Sequence, residues 1–216
     1  MGGEGRCPEV DGRGFDFTGH VRAVCEDMVI RLPQLAHIDM SRVAISLSRA
    51  RKVGADGVHA SLMPLRFQGG ARAGKRGGRY YTTQVVLNRD GQEMLYILTF
   101  FLPRFMDVEF REKLVTIAHE LWHIGPAFDG DLRRHAGRCY VHTGSRKNYD
   151  REMKHLVNAW LSDGPPASLY HFLQYHFAQL QWIHGRVHGV RYSQPKLIPI
   201  SPVQAHYMNR QVDRSV

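Results

Sequence analysis

Between Met94 and Ile124 the chain changes its hydrophobic period within a few residues, and that change limits what it can fold into. Residues 94–102 read MLYILTFFL, with Thr99 the sole polar position. Pro103 and Arg104 end the run well short of the roughly 20 residues that span a bilayer, so it is expected to be a buried strand. From Phe110 to Ile124 the apolar positions Phe110, Leu114, Ile117 or Ala118, and Leu121 fall three or four apart, which predicts a helix packed on a sheet. Gly125-Pro126 stops that helix.

Inside the helical stretch residues 119–123 read His-Glu-Leu-Trp-His. At 3.6 residues per turn, positions four apart lie one above the other, so both imidazoles can reach one zinc ion at about 2.0–2.1 Å from each nitrogen. Glu120 is rotated by about 100° from His119, too far round to be a third ligand but placed to reach a water in the open coordination position. That is the geometry of a general base for zinc-assisted amide hydrolysis. With 13 His and 8 Glu in 216 residues, random order would produce His-Glu-x-x-His roughly 0.03 times per chain, so chance is a weak rival. The competing explanation, two surface histidines, does not suit a segment whose neighbours are Leu121, Trp122 and Ile124.

Four residues can supply a third ligand. His135 is preferred, because imidazole is a common catalytic zinc ligand and a short loop can fold it back over the helix end; Glu152, His142 and Asp129 remain as alternatives. A donor to a developing oxyanion would come from Tyr140, His142 or Tyr149, with nothing in the spacing to choose among them.

The segment HELWHIGPAFDGDLRRHAGRCY resembles the active-site stretch of SprT-like zinc metallopeptidases, and is similar to metallopeptidases of bacteria and their phages. The likeness covers roughly residues 105–145. It implies a zincin-like fold, His119, His123 and His135 as zinc ligands, Glu120 as the catalytic carboxylate, and a protein or peptide substrate. The Cys-based zinc ribbon that often follows in that family has no counterpart here.

Elsewhere, residues 1–14 are expected to be disordered, and 18–32 to be a helix with Thr18 as its N-cap and Pro33 at its end. Strands are expected at 42–48, 59–67 and 79–87, the last joined to the 94–102 strand by the Asn88–Gly91 turn as a hairpin. The intervening GGARAGKRGG reads as a loop: it resembles a P-loop but carries Arg76 where Ser or Thr would hold magnesium. Residues 150–161 and 168–184 are expected as helices, and 187–200 as an extended, proline-punctuated segment. The strand before the zinc helix is expected to offer its edge to a peptide. The expectation is therefore an α+β, zincin-like single domain over 15–200, with a mainly antiparallel sheet of about four strands packed on the zinc-binding helix, a helical C-terminal part, and a 201–216 tail.

Composition adds the surroundings. A net charge of +9 and a pI near 9.7 favour anionic partners, and Arg72, Lys75, Arg76 and Arg79 within eight residues could touch phosphates, which supports a second expectation of weak nucleic-acid contact. Cys7, Cys25 and Cys139 lack CxxC spacing and are odd in number, so neither a disulfide framework nor a Cys-based zinc site is expected. No secretory or membrane-spanning segment is read, which makes a cytoplasmic protein the expectation.

Overall fold

The computed structural model describes residues 14–50, 57–134 and 146–210, without the side chains of 146–150. The expected disorder of the N-terminus falls almost wholly outside the described residues. In chain order the elements are β1 (Phe15–Asp16), α1 (Phe17–Arg31), β2 (Val43–Arg49), β3 (Ala60–Pro64), β4 (Ala73–Arg76), β5 (Arg79–Thr83), β6 (Tyr96–Leu102), α2 (Phe110–Trp122), α3 (Arg146–Ser162), α4 (Ala167–Tyr170), α5 (Phe177–His184), β7 (Val187–His188), β8 (Leu197–Ile200) and α6 (Pro202–Arg210). The fold is α+β, with mixed rather than mainly antiparallel pairing at its centre.

The apolar run is the central strand. β6 pairs with β2 in parallel, Val43 opposite Tyr96 through Arg49 opposite Leu102, and with β3 antiparallel, Ala60 opposite Phe100 through Pro64 opposite Tyr96. A parallel pair needs a long crossover, and the chain between β2 and β6 provides one in which β3, β4 and β5 are formed. Because β6 is paired on both sides, the strand before α2 has no edge to offer a peptide; the edges belong to β2 and β3.

One face of this sheet is closed by α1 and α2. Tyr96, Leu98 and Phe100 from β6 and Val43 and Ile45 from β2 are buried with Val21, Val24, Cys25 and Met28 of α1 and Leu114, Ile117, Ala118 and Leu121 of α2. Burial pushes the Cys25 thiol up to about 12, although Arg22 pulls the other way, so this thiol is inert. The N-cap of α1 is Asp16 rather than Thr18: Asp16 Oδ1 accepts the Gly19 N–H at 3.1 Å. Thr18 Oγ1 is engaged elsewhere, donating to Asp16 Oδ1 at 2.9 Å and accepting from Val190 N–H at 2.9 Å.

A second, all-antiparallel sheet has the order β4-β5-β8. Its first strand lies within the stretch read as a loop. Gly77 and Gly78, at φ of 55° and 78°, form a two-residue turn whose central residues both need positive φ, and this closes a β4–β5 hairpin. The Asn88–Gly91 turn is also present, with Met94 N–H donating to Val86 C=O and Asn88 N–H to Gln92 C=O, but its arms diverge into different sheets. The expected long hairpin is thereby corrected to a short one. In the region read as a C-terminal tail, α6 docks on β4 through Asn209, whose amide both accepts from Ala73 N–H and donates to Ala73 C=O.

The single helix expected over 168–184 is broken into α4, a 3-10 turn at His171–Gln174, and α5. Lys113 of α2 explains the break: its Nζ, on a side chain 1% exposed, donates to the carbonyls of Leu173 and Tyr175, both at 2.8 Å. Those carbonyls are turned toward a buried cation instead of along a helix axis. No helix among the described residues is long and apolar enough to cross a membrane.

Candidate functional site

The sequence pattern that buries Leu114, Ile117, Ala118 and Leu121 against the sheet turns His119 and His123 away from it, to positions half-buried at the C-terminal end of α2. Their Nε2 atoms lie 2.9 Å apart, and the rings are perpendicular, at 88° with centroids 4.5 Å apart. The two rings thus meet through their Nε2 atoms, within hydrogen-bond distance of each other. Two ligands on a tetrahedral zinc with bonds of about 2.0–2.1 Å sit roughly 3.3 Å from each other, a few tenths of an ångström more than this pair. The two imidazoles would supply two of the ligands that a zinc ion needs, after a slight opening of the rings.

Glu120 projects toward β3. Its carboxylate, on a residue 8% exposed, accepts the backbone N–H of Leu62; burial pushes its pKa up to about 7, and the Leu62 hydrogen bond restrains that rise. The strand register explains why Leu62 is available. His59 C=O accepts from Phe101 N–H and Leu65 N–H donates to Leu95 C=O, so odd-numbered residues of β3 bond to β6 and the even-numbered ones face outward. Leu62 N–H thus leaves the sheet at its edge and meets the carboxylate.

After α2 the chain turns back on the helix end. Ile124 and Leu132 form an antiparallel bridge, and Arg133 N–H donates to His123 C=O at 2.7 Å. Arg133 Nε donates to Trp122 C=O at 2.7 Å while its guanidinium lies 4.1 Å from the Trp122 ring centroid. These bonds satisfy carbonyls that a helix terminus leaves open. Buried Tyr96 anchors the loop: its hydroxyl donates to Asp131 C=O at 2.8 Å and accepts Gly130 N–H at 3.0 Å.

Gly130, at φ 91°, lies so close to Arg66 that a Cβ there would collide with that side chain. Phe128, at φ 48°, is the one non-glycine residue with positive φ among the described residues, and its ring packs 5.5 Å from that of Tyr96. Burial would raise the Asp131 carboxyl. The Arg134 guanidinium, with Nε and Nη2 both at 2.9 Å, and the N–H groups of Gly69 and Leu132 outweigh it and hold the carboxyl below its usual range.

Of the third-ligand candidates, His135 and His142 lie outside the described residues. Glu152 is exposed on α3, and Asp129 caps its own turn, with Oδ1 accepting Asp131 N–H at 3.0 Å. Tyr140, too, lies outside the described residues, as does the Tyr149 side chain. Among the described residues, no group of three His, Cys, Asp or Glu side chains is gathered. Arg72, read as a phosphate contact, instead pairs with Glu93 at 3.3 Å, while Lys75, Arg76 and Arg79 are exposed on the β4–β5 hairpin.

Four participants were not singled out from sequence: the Leu62 N–H, Tyr96, Arg133, and His37, whose Nε2 is 3.4 Å from Ile124 C=O. Tyr96 had a signal, being the one hydroxyl-bearing ring in a buried apolar run, where such a group needs a partner. The others depend on tertiary contacts that no local spacing encodes. No family model, curated protein or solved structure matches the chain.

Proposed function

We propose that the chain is a zinc-dependent peptidase of zincin-like build, related to the SprT-like metallopeptidases, in which His119, His123 and His135 hold the metal and Glu120 is the general base. The observation that carries this reading is the convergence of two imidazole Nε2 atoms, 2.9 Å apart, one turn apart on a helix, beside a buried carboxylate. For the third ligand, support comes from the return loop. Arg133 N–H is bonded to His123 C=O, and His135 follows Arg133 by two positions in the sequence.

Zinc, when bound, would supply a water acidic enough to be deprotonated near neutral pH and a Lewis acid for the scissile carbonyl. The chain's own groups do the rest. Glu120 exchanges the Leu62 N–H for the proton of the attacking water and passes that proton to the leaving amine. The outward edge of β3, at Ala60 and Leu62, is where an extended peptide would pair, next to that carboxylate. Pro64 lacks an N–H and ends the pairing edge.

Metal analysis of the purified chain, with cleavage of an unfolded protein such as casein, tests the reading. One zinc per chain and zinc-dependent cleavage support it; a chain that holds no zinc with His119 and His123 intact ends it. A second reading, a nucleic-acid-associated protein whose zinc is structural or which acts only on DNA-bound proteins, is favoured by the net charge of +9 and the exposed Lys75, Arg76 and Arg79. It requires DNA retention that falls steeply with salt.

A further inference from the structure

The face of the central sheet opposite α1 and α2 is closed at one end and open at the other. Ala44, Leu65, Met94 and Ile97 form a small separate core there, with Met63, Val86 and Tyr192 packed on it. Beyond it the face opens into a groove of about 810 Å³, within the 300–1,000 Å³ range of small-molecule sites. The register puts Thr99 beside Ser61 and Phe101 beside Ser48, so the floor carries hydroxyls and one aromatic ring. The segment after β7 builds one wall: Val190 C=O accepts from Leu47 N–H, Tyr192 N–H donates to Ser46 Oγ, and the Tyr192 side chain joins the lining.

Charge among the described lining residues is of one sign. Arg49, Arg104 and Arg191 line it, and no Asp or Glu does among the described lining residues. Arg49 and Arg104 stand where the parallel strands β2 and β6 both end, the position at which open sheets with parallel strands commonly receive ligands. Arg104 is held there by its own hydrogen bond to Val58 C=O at 3.1 Å. Guanidinium groups match phosphate oxygens in geometry and charge, and tyrosine and phenylalanine rings present faces for a planar ring.

We propose that this groove binds a phosphate monoester bearing a planar ring, a ligand of mononucleotide size, with Arg49, Arg104 and Arg191 on the phosphate and Phe101 and Tyr192 on the ring. The closed end favours a discrete ligand over a long polymer. The site lies on the opposite face of the sheet from the zinc helix, and it stands or falls independently of the peptidase reading.

Calorimetric titration of the full chain with AMP at low salt, beside inorganic phosphate, adenosine and a short oligothymidylate, tests it. The expected result is saturable binding of one AMP per chain, tighter than phosphate or adenosine alone. Arg49→Ala and Arg191→Ala, both at exposed positions, should each weaken AMP by about tenfold, with the melting temperature unchanged. The proposal is overturned by an absence of saturable AMP binding, by full affinity in both arginine variants, by adenosine matching AMP, or by the oligonucleotide binding far more tightly than AMP, which would make the groove a nucleic-acid channel.

Discussion

Lys113 and Glu120 are seven residues apart on α2, two helical turns, so they project from the same side of one helix, and both ionisable side chains are buried, at 1% and 8% exposure. Their surroundings differ. Lys113 has two carbonyls at 2.8 Å and is walled in by the segment joining α4 to α5. Glu120 has one backbone donor, burial that pushes it up to about 7, and two imidazoles on its flanks in the sequence. The Trp122 Nε1 two residues on is buried with no hydrogen-bond partner among the described residues. At one end of α2 a buried ammonium is held by two carbonyls; at the other a buried carboxylate has one backbone donor and the Trp122 Nε1 has no partner among the described residues.

The largest difference between the two ends is expected at Glu120. Glu120→Gln should lower peptide cleavage by roughly 10²–10⁴-fold while zinc content and the thermal midpoint stay close to wild type, read by a cleavage assay, metal analysis and calorimetry. Lys113→Ala should do the reverse. It leaves two buried carbonyls without a donor and a void where the stem lay, so urea denaturation should show a loss of about 3 kcal/mol with zinc binding retained in the folded fraction. Equal stability losses in the two variants would erase the distinction.

pH gives a comparable effect with a definite sign. Burial lowers Lys113 to about 8 from 10.5, with Asp107 and Glu109 pulling it back up. Between those values the unfolded chain holds a proton that the folded chain does not, so stability rises with pH across that window, and the burial penalty is fully present below it. Taken as wild type minus Lys113→Met, the gain should be roughly 3 kcal/mol by denaturation at successive pH values. A flat difference would mean that the two carbonyls keep the ammonium at its ordinary pKa.

Smaller effects test the support of the open end. Tyr96→Phe removes the hydroxyl that links Gly130 N–H and Asp131 C=O, and should cost about 1–2 kcal/mol and weaken zinc retention against a chelator. Gly78→Ala, in the Gly77-Gly78 turn of the distal hairpin, should cost about 1 kcal/mol and leave zinc retention unchanged. If the hairpin variant loosens the metal as much as Tyr96→Phe does, the loop is not what positions the site.

Much of the region around α2 was legible from residues. The helix Phe110–Trp122 with its buried Leu114, Ile117 and Leu121 and the strand Val43–Arg49 follow from their periods, while Tyr96–Leu102 follows from an unbroken apolar run, because both faces of that strand are covered. The convergence of His119 and His123 follows from helical spacing. What escaped was set by distant partners. β5 pairs with β8, more than a hundred residues away, and β4 reads as glycine-rich loop until its turn and its pairing with β5 are known. The parallel pairing of β2 with β6 depends on the crossover, and the break after α4 depends on a lysine two helices earlier. The Leu62 N–H leaves no trace in side-chain identity, since every residue but proline carries one.

The most direct test of the central claim is the zinc content of the chain purified without chelator, beside His119→Ala and His123→Ala. One tightly held zinc per wild-type chain and none in either variant is the expected result, with both variants still folded by circular dichroism. A wild-type chain that holds no zinc after incubation with the metal, or either variant holding a full equivalent, would contradict it.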